Sequence, residues 1–458
     1  MFPRVPAGLV AFVLILSACA GGLAGSEDTA LNPGSLGAET DQFGEPLSPA
    51  TSTGQPVGGP SGQTPSSGLA PAAPTGTTTQ PTAGANSATS EAYAGEVGVT
   101  SDQVLVGLFV GKTGAFAGLQ TNAEHGMQMA FNEANEAGGV HGRELVARSY
   151  DDGSVNPSVI DANWRVAKNE VIAIFGQEGT AFMPHADRDR VPLLYATGLM
   201  AAGLASRYGF PAFPYVEYQS RDLMPEYMLN RLDARGKRIA VMFDSFPANS
   251  SARTMFSKRA KALGLNVVIE QPVENVPATC TNQVSNVQAQ EPDIVFLLVQ
   301  TPGAICVLRD ARSLGFNPEW TSVATVFNTD LIHPASGGST EGMVVFGHVR
   351  TTETACGEAF RAAAAKYYPD RPAMREDAIA YVFYLIGRRF VEHLKVAGRN
   401  LTREGFVHGA EQSSGLNDGC ISPPTYGPND RRGALGVSLM KAQDRKWITL
   451  EPRWRRSF

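Results

Sequence analysis

The sequence predicts an α/β protein built from two successive open, doubly wound sheets of parallel strands. Three observations predict it. Short, near-continuous apolar runs recur along the chain, as expected of strands covered on both faces. Between them, apolar residues repeat at helical spacing. The part of the chain from Asp102 onward, roughly 355 residues, exceeds the size at which a single core stops growing, so two lobes are expected.

Val104 to Val110 reads as a buried strand, and Ala123, Met127, Ala130, Phe131 and Ala134 form the inner face of a helix that stops at Gly138-Gly139. Glu144 to Tyr150 is the next strand. Asn156-Pro157 supplies an N-cap and first helical position for a helix turning Val159, Ile160, Trp164 and Val166 inward. Val171 to Phe175 and Pro192 to Tyr195 continue the alternation. A second block begins with strand Arg238 to Phe243, a helix near Ser251 to Leu263 and strand Leu265 to Glu270. A helix through Val284 and Val287, strand Asp293 to Val299, a helix over Ile305 to Leu314 and a short strand near Thr321 to Val323 follow. Ligands in such sheets bind beyond the carboxyl ends of the strands, so function is expected in the loops there.

The N-terminus differs in kind. Arg4, an apolar run from Val5 to Leu16 and the segment Leu16-Ser-Ala-Cys19 resemble a bacterial lipoprotein signal ending at the cysteine that becomes lipidated. The run is shorter than the ~20 residues a membrane span needs. Acyl chains on Cys19 would instead hold the mature protein on the extracytoplasmic side of the membrane. Residues 20–101 are rich in Gly, Pro, Ser, Thr and Ala, carry seven acidic residues and contain no Lys or Arg. Such a segment is expected to be a disordered tether, of root-mean-square span about 50 Å on a flexible-coil scale.

Setting aside Arg4 and those seven acidic residues leaves the rest of the chain formally neutral. No basic stretch points to nucleic acid. Gly107 to Thr113 lacks the first glycine of a phosphate-binding loop, which would fall at Val106, and no Gly-x-Ser-x-Gly elbow occurs. The seven histidines show no ligand spacing on one helix, so neither a metal nor another cofactor is expected. Asp151-Asp152 stand at a strand end before a helix, where capping accounts for them better than acid/base chemistry.

Val104-Leu-Val-Gly-Leu-Phe-Val-Gly-Lys-Thr-Gly-Ala-Phe116, Ala134-Asn-Glu-Ala-Gly-Gly-Val-His-Gly-Arg143, Tyr150-Asp-Asp-Gly-Ser-Val-Asn-Pro157 and Val171-Ile-Ala-Ile-Phe-Gly176 resemble, in that order, the first lobe of type I periplasmic binding proteins. Pro292 to Leu298, Ala311 to Phe316 and Glu341 to Val345 resemble the second. The nearest branch comprises the substrate-binding lipoproteins of ABC transporters for branched-chain amino acids, amides and urea. The resemblance implies a three-strand hinge, with lobe 1 formed by 102–217 and 346–395 and lobe 2 by 218–345 and 396–458. It implies binding without catalysis: a small molecule is captured between closing lobes and handed to a permease. A sensing or scaffold lipoprotein of the same fold is the alternative.

By the same resemblance, the ligand would meet Thr113 and Phe116 after the first strand, Glu178, Gly179 and Thr180 after the third, and Tyr195, Thr197 and Gly198 after the fourth. Tyr218, Phe246, Gln300 and Phe327 would complete the pocket. Glu178 replaces the small hydroxyl residues usual in relatives; facing a ligand, it would repel a carboxylate and favour a cation or a hydrogen-bond donor, and the alternative is that it points to solvent or caps the next helix. Val326-Phe327-Asn328 contains no acidic residue to take an ammonium group, and a buried unpaired charge is costly. Standard branched-chain amino acids are therefore doubtful ligands, and an amino-acid-like, amide or aromatic compound is expected. Beyond Cys19 there are four cysteines, which allow three connectivities. Cys280 with Cys306, at the starts of neighbouring helices, and Cys356 with Cys420 is the favoured arrangement.

Overall fold

The computed structural model describes residues 95–458 except 115, 116, 118, 119, 121, 326–328 and 414–417. Cys19, the leader, nearly all of the tether, Phe116 and Phe327 thus lie outside the described residues.

The first sheet is made by β1 (Gln103–Val110), β2 (Glu144–Asp151), β3 (Ala173–Glu178), β4 (Leu193–Thr197) and β5 (Gly209–Pro211), alternating with α1 (Ala123–Glu136), α2 (Pro157–Ala167), α3 (Gly179–Asp189) and α4 (Met200–Ala205). All its pairings are parallel, in the order β2-β1-β3-β4-β5. Helices on both faces bury the strands, so Trp164, Phe109, Phe175 and Phe182 share one core. The expected cap on α2 is present: the Asn156 side chain accepts from Ser158 N at 3.0 Å, with Pro157 at the first helical position.

After α5 (Val216–Tyr218) and α6 (Met224–Arg231) comes the second sheet. Its strands are β6 (Arg238–Asp244), β7 (Asn266–Val273), β8 (Ile294–Leu298), β9 (Glu319–Val323) and β10 (Val344–Gly347), separated by α7 (Pro247–Ala262), α8 (Thr281–Gln288), α9 (Thr301–Ser313) and α10 (Thr329–Ala335). Every residue of β8 is buried, as its unbroken apolar sequence Ile-Val-Phe-Leu-Leu demands. The chain then builds α11 (Ala355–Tyr367), α12 (Ala378–Val396) and α13 (Arg403–Gln412), and ends in a hairpin of β11 (Val437–Gln443) and β12 (Lys446–Arg455). This hairpin extends the second sheet to β12-β11-β10-β9-β8-β6-β7, with antiparallel pairing at β10–β11–β12. The sheet is therefore mixed: the tight turn makes β11 and β12 antiparallel, and β11 also runs antiparallel to β10, to which the chain returns from α13.

Two boundaries need correction. The sequence assigns 396–458 to lobe 2, but Leu401, Phe406, Val407, Ala410, Ile421 and Tyr426 are buried in the first core, and only Val437, Leu439, Met440, Ala442 and Trp447 join the second. The cause is the apolar face of α13, where Phe406 packs against Phe390 of α12 at 5.2 Å between ring centroids. The tether also ends earlier than residue 101: Val99 is 5% exposed and packs in the first core, and Glu96 accepts from Arg403 N at 3.2 Å.

The chain passes between cores three times. The first crossing follows Tyr215, the second runs through Gly347–Arg350, and the third lies between Tyr426 and Val437. The second crossing is tied to the segment leading into the third. Val349 forms an antiparallel bridge with Ile421, Arg350 N donates to Cys420 O at 2.8 Å, and Ser422 N donates to His348 O at 2.9 Å. Cys356 is disulfide-bonded to Cys420 beside this ladder, and Cys280 to Cys306 between α8 and α9, the favoured pairs.

Candidate functional site

A cavity of about 210 Å³ opens between the two sheets, bounded by the carboxyl ends of β3, β4 and β9 and the first turns of α7, α9 and α12. Four of the expected residues reach it: Glu178, Thr197, Phe246 and Gln300.

Their positions follow from local chemistry. Glu178 ends β3 and caps α3, its carboxylate accepting from Ala181 N at 2.9 Å. Burial pushes this carboxyl above the usual glutamate range, against the opposing pull of its hydrogen bonds to Thr180 and Ala181. On the opposite wall, Asp244 is fully buried at the end of β6. It accepts from Phe246 N at 3.0 Å, Asn249 Nδ2 at 2.9 Å and Gln300 N at 2.6 Å, which holds the loops after β6 and β8 together. Those bonds aim Phe246 and Gln300 at the cavity, while the carboxylate itself is spent on structure.

The other described candidates serve the scaffold and are corrected here. Tyr195 is fully buried; its Oη lies 2.6 Å from Tyr215 Oη, and Gly179 is the residue whose missing side chain makes room for its ring. Thr180 Oγ1 accepts from Leu199 N at 2.7 Å, joining the start of α3 to the loop before α4, and Gly198 packs against that same Thr180. Thr113 is exposed and donates to Asp151 Oδ2 at 2.6 Å. Tyr218 packs against both cores at the first crossing. None of these six lines the cavity.

Several cavity residues escaped the sequence reading. The second crossing contributes Gly347 to Thr352. His348 is 6% exposed, with its ring 3.9 Å from that of Phe213, and its Nδ1 has no hydrogen-bond partner among the described residues. Burial pushes its pKa down to about 3, so the imidazole is neutral at ordinary pH. Arg350 stacks over Trp454 at 4.0 Å and donates through Nε to Gly419 O at 3.1 Å. Tyr381 Oη donates to Arg350 O at 2.9 Å, fixing the crossing against α12. From α12 itself come Ile379, Val382, Phe383 and Ile386, spaced i, i+3, i+4, i+7. Asp377 sets the start of that helix, accepting from Ala380 N at 2.7 Å and from Asn122 Nδ2 at 2.6 Å.

The cavity thus offers a broad apolar wall, scattered hydroxyl and amide groups and one neutral imidazole, with Arg350 in the same wall. Such a lining selects shape and a few hydrogen bonds; it contains no nucleophile paired with a base among the described residues.

A family model described as periplasmic binding protein matches residues 103–446. Among curated proteins, Leu/Ile/Val-binding protein homolog 8 of Brucella abortus is 22% identical over 218 residues, which is 45% of this chain and 54% of that protein. The chain spans about half the length of the curated relatives it matches. Among solved structures, the fatty acid ABC transporter substrate-binding protein from Thermomonospora curvata superposes with a TM-score of 0.66 at 20% identity, covering 78% of this chain and 93% of that one. The branched-chain amino acid ABC transporter protein from Thermus thermophilus with bound valine gives 0.65 at 17% identity, covering 77% and 96%. These structural likenesses establish a shared fold.

Proposed function

We propose, because the chain belongs to the periplasmic binding protein family, that it is the extracytoplasmic solute receptor of an ABC importer, moored through lipidated Cys19 and a long tether. It captures a small molecule between two lobes and presents it to a permease. One observation carries the reading: the cavity is lined from both sheets and from the second crossing, so a ligand there touches both lobes and the strand that joins them. Contacts made only when both lobes meet the guest favour the closed form. The branched-chain and fatty-acid proteins named above support a small solute of partly apolar character, and their printed ABC-transporter roles support the importer reading.

The test is a thermal-shift screen of the purified full chain over amino acids, amides, aromatic acids and aliphatic acids. A ligand at a hundred times its Kd stabilises the native form by about 2.7 kcal/mol. A saturable rise in Tm with one chemical class supports the reading. A chain that responds to no solute in such a library is not a solute receptor.

A further inference from the structure

We propose, resting on the receptor reading above, that the cavity is built for a hydrophobic monocarboxylic acid: an apolar tail lies along the α12 stripe, and the carboxyl group meets His348 and Arg350. The stripe of Ile379, Val382, Phe383 and Ile386, continued by Phe213 and Val349, gives one apolar side to the space. The cavity, of about 210 Å³, has room for a small branched or aromatic acid.

The polar head is placed by the second crossing. His348 is more than nine-tenths buried with Nδ1 unpartnered among the described residues, and a buried polar atom of this kind asks for a hydrogen bond from whatever fills the space. Two residues on, Arg350 belongs to the same wall and carries a permanent positive charge, its guanidinium lying over the Trp454 ring. Among the described cavity residues an ammonium group finds no equivalent. Asp244 accepts three hydrogen bonds from its own loops, and Glu178 caps α3 in surroundings that favour its protonated form. Among the described cavity residues Glu178 is the only carboxylate. An amino acid would bury its ammonium next to apolar side chains and a guanidinium, which is unfavourable on both counts.

A matched set tests this on the full chain by calorimetry and thermal shift: isocaproate, leucine, isoamylamine and isocaproamide, which share one branched tail and differ in the head, with octanoate and hydrocinnamate as tail variants. Isocaproate or one of the two tail variants is expected to bind, with leucine at least about tenfold weaker than isocaproate and isoamylamine silent. His348→Ala should weaken the acid about tenfold or more while leaving circular dichroism unchanged. Should that variant misfold, Val382→Asp, which places a charge on the stripe, should abolish acid binding. Leucine or isoamylamine binding more tightly than isocaproate overturns the inference and leaves the receptor reading standing, as does binding of an unrelated solute when no acid of the set binds. Silence from the set and from the whole solute library overturns both.

Discussion

His393 offers a direct check on how burial governs this protein's response to acid. The ring is fully buried in α12, lies 5.8 Å from the Tyr426 ring and 6.0 Å from that of Phe406, and neither nitrogen has a hydrogen-bond partner among the described residues. Burial first, and the charge of Arg389 second, push its pKa down to about 3. In the unfolded chain the imidazole titrates at about 6.5. Between those values the unfolded state binds a proton that the folded state refuses, so this residue's contribution to stability is complete above about pH 6.5 and is lost progressively as pH falls towards about 3. From pH 7 to pH 5 the loss is about 2 kcal/mol. With an unfolding entropy of about 2.1 cal/mol/K per residue over roughly 360 residues, that corresponds to about 3 °C in Tm. His393→Phe keeps an aromatic ring between Phe406 and Tyr426 and removes the titrating group. Scanning calorimetry of parent and variant across this pH range should show the parent's Tm falling about 3 °C further than the variant's. Identical pH profiles would refute the reasoning, because they would mean that the imidazole accepts its proton inside the folded core.

Two further outcomes follow from packing and covalent links. Replacing Cys356 and Cys420 together by Ser opens a loop with a sequence separation of 64 and should cost about 4 kcal/mol on the chain-entropy scale, against about 3.5 kcal/mol for the Cys280–Cys306 pair with its separation of 26; urea denaturation of each double variant measures the difference. Gly126→Val adds a side chain where the α1 backbone meets Ala380 O of α12, so overpacking should cost about 1–3 kcal/mol by denaturant melt, and a variant as stable as the parent would show that these helices separate without penalty.

The alternation of apolar runs and helical faces was enough to give strands β1–β4 and β6–β9, because short-range periodicity is set by which faces are covered, while the antiparallel hairpin β11–β12 that makes the second sheet mixed went unread. The Asn156 cap and the capping role open to Glu178 were legible for the same reason: both are local bonds to the next turn. Tyr195 misled because β4 is covered on both faces, so no polar alternation marks which side faces a ligand. The α12 stripe carries the same i, i+3, i+4, i+7 signal as any core helix; only the tertiary arrangement leaves part of it facing open space. His348 sits in a short crossing with no periodicity, and its burial is created by Phe213, far away in the chain. Leu401, Phe406, Val407, Ala410, Ile421 and Tyr426 joined the first core through contacts between distant elements, which no local pattern encodes.

The ladder between Gly347–Arg350 and Gly419–Ser422, riveted by Cys356–Cys420, makes two neighbouring segments into one flat strap. A strap of this kind bends across its width more readily than it wrings about its length, so His348 and Arg350, whose backbones are stitched into the ladder, are held at fixed places in the cavity wall.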